Sequence, residues 1–117
     1  MDSKILAEKI ARVSLEKKAT DVIILDLQPL TSMTDYFVIC TGLTNTQVKA
    51  ISEHIVDKLK QEKNRPLHVE GARAQEWILL DYIDVIVHVF QPHKREFYSL
   101  ERLWGDADKV EVKEEEG

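Results

Sequence analysis

Trp77-Ile78-Leu79-Leu80-Asp81-Tyr82-Ile83-Asp84-Val85-Ile86-Val87-His88-Val89-Phe90 decides how the rest of this 117-residue chain is read. Two apolar, β-branched runs flank Asp81-Tyr82-Ile83-Asp84, which reads as a hairpin. Strand side chains alternate between faces with period two, so a register assigns each of them. With Leu80 opposite Val85, Ile78 faces Val87 and Val89 continues the same side, an aliphatic face that belongs in a core. The other face carries Trp77, Leu79, Ile86, His88 and Phe90, with Asp81 and Asp84 at its tip. Such a mixture of aromatic, apolar and titratable groups suits a protein interface, and equally a face covered by a helix over a hydrogen-bonded histidine. A two-residue turn would set Asp81 against Asp84 and strain Ile83 at positive φ, so a four-residue loop is expected.

Outward from the hairpin, Gln91-Pro92 ends the second arm. A helix from about His93 to Trp104 then places Phe97, Leu100 and Trp104 on one face. Upstream, Leu67 to Glu70 reads as a short edge strand broken by Gly71. Thr44-Asn45-Thr46-Gln47 fits a capping box and opens a helix whose Val48, Ile51, Ile55 and Leu59 form one stripe. Asn64 and Pro66 prevent its continuation. Asp21 to Leu27 and Tyr36 to Cys40 are apolar on both faces, as central strands covered on both sides should be. Leu6, Ile10 and Val13 mark an amphipathic helix from Ser3 to Lys18, capped by Asp2 or Ser3. The order α-β-β-α-β-β-β-α, without repeat or linker, predicts one α+β domain over residues 1–107. It would hold a mixed sheet of about five strands covered by helices. Residues 108–117 are acidic with little to bury, and are expected to form a flexible tail.

Charge narrows the partners. The chain has 21 acids and 16 bases, and from Asp106 onward six acids meet two bases, which leaves a nearly neutral body. Binding to a phosphate backbone calls for clustered Lys and Arg, so no direct DNA binding is expected, and a basic protein suits this chain better. No stretch of about 18 uncharged apolar residues offers a spanning helix, and no signal or transit pattern opens the chain. The lone Cys40 cannot form an intramolecular disulfide, so a cytoplasmic location away from the membrane is expected. Cys40 itself sits in an apolar strand and reads as a small buried hydrophobe. His54, His68, His88, His93 and Cys40 show no HxH, HxxxH or CxxC spacing, which leaves a metal or other cofactor without local support. Asp81, Asp84 and Glu70 could gather to hold Mg²⁺ for phosphoryl transfer. Yet no GxxxxGK[ST] or GxGxxG receives the phosphates, and no Asp-x-Asp follows a Gly-Ser turn. Turn and partner-contact roles for Asp81 and Asp84 are favoured. The residues alone reach an α+β binding module rather than an enzyme.

These same residues resemble the ribosomal silencing factor (RsfS, or Iojap) family. The likeness runs through Asp35-Tyr36-Phe37-Val38-Ile39, Thr41-Gly42, Gln47 and Glu70-Gly71 to the Trp77–Phe90 stretch, and ends on Arg95 to Ala107. It spans about residues 20 to 107; Ile83 departs from it, standing where the family often has Gly. The resemblance implies a nucleotidyltransferase-like fold without the catalytic motifs, and neither substrate nor cofactor. It implies a translational repressor that binds the large ribosomal subunit through its fourteenth ribosomal protein. Its bulk would block joining of the small subunit when nutrients are short. A large-subunit assembly factor is the alternative, with a metal-dependent nucleotidyltransferase or phosphoesterase behind it. Carried over by position, the contact patch is Trp77, Leu79, Tyr82, Asp84, His88 and Phe90, with Trp77 and Phe90 as apolar anchors and Asp84 meeting a basic group. A homodimer also fits the resemblance.

Overall fold

Asp2 opens the first element, its carboxylate accepting from the Lys4 N–H at 3.0 Å. Helix α1 (Ser3–Glu16) then buries Leu6, Ile10 and Val13 along one stripe. The computed structural model describes residues 2–114; Met1 and residues 115–117, the end of the expected tail, lie outside the described residues. After α1 come strands β1 (Thr20–Asp26) and β2 (Tyr36–Thr41), then helix α2 (Asn45–Lys60). The α2 cap is a variant of the expected box. Thr44 Oγ1 accepts from the Gln47 N–H at 3.1 Å, but Gln47 Oε1 reaches back to the Leu43 N–H at 2.7 Å. The same amide donates to the Lys18 carbonyl at 3.0 Å, tying the end of α1 to the start of α2.

Strands β3 (His68–Glu70), β4 (Trp77–Asp81), β5 (Val85–Phe90) and β6 (Asp108–Glu111) complete a sheet ordered β3-β4-β5-β2-β1-β6. Among the described residues only the central β2–β5 pair is parallel, so this is an α+β domain with a mixed sheet, of six strands rather than about five. The extra strand, β6, comes from the segment expected to be a flexible tail. All four of its side chains are exposed, and it is held by backbone pairing to β1 and by the Val112 N–H to Val22 carbonyl bond at 2.9 Å. Hydrophobic patterning is blind to a strand that buries no side chain.

Helices α1 and α2 cover one face, over Val22, Ile24, Val38, Ile78, Leu80, Val85, Val87 and Val89. The opposite face, with Ile23, Leu25, Ile39 and Phe90, lies under Leu100 and Trp104. Those two residues come from a helix that breaks where a single one from His93 to Trp104 is expected. It divides into α3 (Pro92–Tyr98) and α4 (Leu100–Leu103) at Ser99, whose φ is 45°. Arg95 fixes the break: its Nη1 donates to the Asp21 carbonyl at 2.6 Å and to Thr41 Oγ1 at 2.8 Å, and its Nε to Glu101 at 3.2 Å. Leu100 and Trp104 reach the sheet, whereas Phe97 points away and is 78% exposed.

Candidate functional site

The hairpin turns more tightly than expected. Tyr82 N–H donates to the Val85 carbonyl and Asp84 N–H to the Tyr82 carbonyl, both at 2.9 Å, around an Ile83 at φ 73°. Only Ile83 and Asp84 form the connection, a γ-type turn rather than a four-residue loop. The register is accordingly Leu80 opposite Val87, Ile78 opposite Val89, Leu79 opposite His88 and Trp77 opposite Phe90. This is a slip of two from the expected pairing, and a slip of two leaves every side chain on its expected face. It also removes the like-charge clash, because Asp81 pairs with Ile86. The Asp81 carboxylate instead accepts from the Ile83 N–H at 2.7 Å. The Asp84 carbonyl accepts from the N–H groups of Asp35 and Tyr36, anchoring the tip to the start of β2.

Of the six expected contact residues, Asp84 is exposed and Trp77 and Leu79 are half-buried. His88 and Phe90 share their face but are 3% and 0% exposed, so they lie beneath the surface. Tyr82 falls on the other side. It shares parity with Ile78 and Leu80 and packs into the helix-covered core, where burial pushes its hydroxyl up to about 12. The structure therefore brings together Trp77, Leu79, His88 and Phe90, with Asp84 at the tip, and leaves Tyr82 out.

Trp77 is the centre of this group. Its ring stacks on Phe90 at 4.8 Å between centroids, meets Tyr98 at 4.6 Å, and its Nε1–H donates to His88 Nδ1 at 3.1 Å. Phe37 forms T-shaped pairs with His88 at 4.5 Å and with Trp104 at 6.1 Å between centroids. Phe37 and Tyr98 join the patch from outside the hairpin. Phe37 arrives through the parallel pairing that sets it beside Ile86, a strand order that periodicity does not supply. The entry of the chain into β4 is fixed as well. Gly71 has φ 85°, and a Cβ there would come within 1.9 Å of the Trp77 carbonyl oxygen, so only glycine fits. The Gln91 N–H to Glu76 carbonyl bond, at 2.8 Å, pins the residue before Trp77.

Chemically the site is quiet. Burial pushes His88 down to about 3, so its imidazole is neutral at physiological pH. Cys40 is fully buried and its thiol is pushed up to about 12 by burial, which leaves no thiolate nucleophile. Asp81 is engaged by the turn and Glu70 by His68 at 2.8 Å. Among the described residues no three His, Cys, Asp or Glu side chains gather where a metal ion could be held, and no helix is long and apolar enough to cross a membrane. What the arrangement offers is a rigid, half-open aromatic and aliphatic surface with an acid at its rim, the composition of a docking face.

Comparison with known proteins agrees with the sequence resemblance. The family model described as "Ribosomal silencing factor during starvation" matches residues 1–117. The ribosomal silencing factor of Bacillus subtilis is 37% identical over 112 residues, covering 96% of this chain and 95% of that protein. A crystal structure of a Chromobacterium violaceum protein superposes with a TM-score of 0.87 at 33% identity, over 98% of this chain and 92% of the other. A mouse relative, "Mitochondrial assembly of ribosomal large subunit protein 1", is 32% identical over 76% of this chain and 40% of its own length. With its fold, its hairpin face and a family match over its whole length, the chain belongs to the ribosomal silencing factor family.

Proposed function

We propose that this protein binds the large ribosomal subunit through its fourteenth ribosomal protein and, by its bulk, keeps the small subunit from joining. Translation falls as a result when nutrients are limiting. It works as a regulatory factor, with neither substrate nor cofactor. The observation that carries this reading is the half-open Trp77, held on a rigid aromatic base in a chain of the ribosomal silencing factor family. Trp77 and Leu79 supply the apolar contact and Asp84 meets a basic group, while His88 and Phe90 support them from below. A nearly neutral body suits a basic ribosomal protein better than bare RNA.

Co-sedimentation with isolated subunits, followed by subunit joining on a sucrose gradient, tests this directly. The expected result is binding to the large subunit alone and loss of joined ribosomes. Binding to neither subunit at near-physiological salt would overturn it. Trp77→Ala is expected to keep the fold and weaken large-subunit binding about thirtyfold, the usual consequence of losing a central anchor worth about 2 kcal/mol. The name of the mouse relative favours a second reading, a factor in large-subunit assembly that uses the same surface. That reading predicts incomplete large subunits in cells lacking the protein, whereas anti-association predicts complete subunits that join too readily.

A further inference from the structure

His88 occupies a costly position for a polar side chain. It lies on β5 with 3% of its surface exposed, its ring against those of Phe37 and Trp77. An indole N–H can only donate, so the Trp77 bond makes His88 Nδ1 the acceptor and puts the proton of the neutral ring on Nε2. That Nε2 is buried and has no hydrogen-bond partner among the described residues. A buried donor left unmade destabilises a fold, and a leucine or phenylalanine at this position would avoid the penalty. Only one thing is gained: an acceptor at a fixed point beneath the indole. Phe90 stacks on the Trp77 ring and Tyr98 meets it at a tilt of 44°, contacts that tolerate sliding. The hydrogen bond to His88 fixes its rotation, because it is directional.

We propose that His88 is a positioning residue. It touches no partner, and its Nδ1 locks the Trp77 indole in the orientation that docks, so that little side-chain freedom is lost on binding. This rests on Trp77 being the anchor of the ribosomal contact. The test uses ¹⁵N-labelled full-length protein, with the Trp77 indole resonance assigned by its disappearance in Trp77→Phe, and isolated large subunits as the binding probe. His88→Leu is expected to keep the backbone spectrum, move the indole resonance to its free position, speed its exchange with water, and weaken binding about tenfold. His88→Asn carries an acceptor at the same bond distance from Cβ as Nδ1, and is expected to restore both the resonance and most of the affinity. Should His88→Leu not fold, His88→Phe, which likewise offers no acceptor, takes its place, with the same freed indole and weakened binding expected. An indole freed in His88→Leu with affinity unchanged overturns the positioning role alone. Trp77→Phe binding as tightly as the parent overturns the anchor, and with it the ribosomal reading of this face.

Discussion

At Ile83 a β-branched side chain, 59% exposed, sits at φ 73°, where glycine suffers no steric penalty and isoleucine does. The bonds from Ile83 N–H to Asp81 and from Asp84 N–H to Tyr82 hold it there. Such strain costs roughly 1–3 kcal/mol, and glycine's added freedom in the unfolded chain offsets part of the relief. Ile83→Gly is therefore expected to raise stability by about 1 kcal/mol in urea unfolding with an unchanged slope; a loss would mean that the side chain contributes packing at the tip. His88 sets a different expectation. It titrates near 6.5 when unfolded and near 3 when folded, because burial disfavours its charged form. Between those values the unfolded chain binds the extra proton, so stability rises with pH and is lost as pH falls below about 6.5. From pH 7.5 to pH 5 the loss from this group is about 2 kcal/mol, and His88→Leu should remove that part of the slope in denaturant titrations at the two pH values.

The helix pair α3–α4 depends on one side chain. Arg95 joins the bulged start of β1, the end of β2 and the first turn of α4 through Asp21, Thr41 and Glu101, with little of its surface exposed. Replacing it with alanine leaves a half-buried carboxylate and a strained Asp21 backbone without their partner. Arg95→Ala is expected to cost about 3 kcal/mol and to red-shift tryptophan emission as Trp104 leaves the sheet. Lysine should restore little, since a single ammonium cannot reproduce the fork. Elements whose causes are local could be read in the sequence. Asp2 and Thr44 cap their helices, Ile10 and Ile51 mark their buried stripes, and the hairpin faces survive a slip of two because parity is all that matters. Ser99 at φ 45° could not be read, because its conformation answers to Arg95 and two strands far away in sequence. Within the site, Trp77 and Leu79 follow from alternation, which also puts Tyr82 with Leu80 in the core; only the resemblance places Tyr82 on the patch.

For the molecule as a whole the question is what ends the sheet. On one side β3 is three residues long and next to a glycine that no other residue can replace, too short a template for another chain. On the other side β1 is seven residues long, and among the described residues its outer edge is covered by β6, through pairs from Ile23–Glu111 to Asp26–Asp108, and by Val112 beyond it. Removing residues 108–117 would uncover a β-branched strand, Val22-Ile23-Ile24-Leu25, whose outer N–H and C=O groups then lack partners. The same cut removes five acids and two bases, reducing the net charge from −5 to −2 and with it the repulsion between copies. It also takes away Val112, which packs against the helix-side core. The shortened protein is therefore expected to melt several degrees lower and to self-associate in a concentration-dependent way by light scattering, even as its Trp77 face stays intact. Self-association at unchanged melting temperature would assign β6 a purely protective role. A monomer with the parent's stability would show that β1 needs no cover, and that the acidic segment serves the partner rather than the sheet.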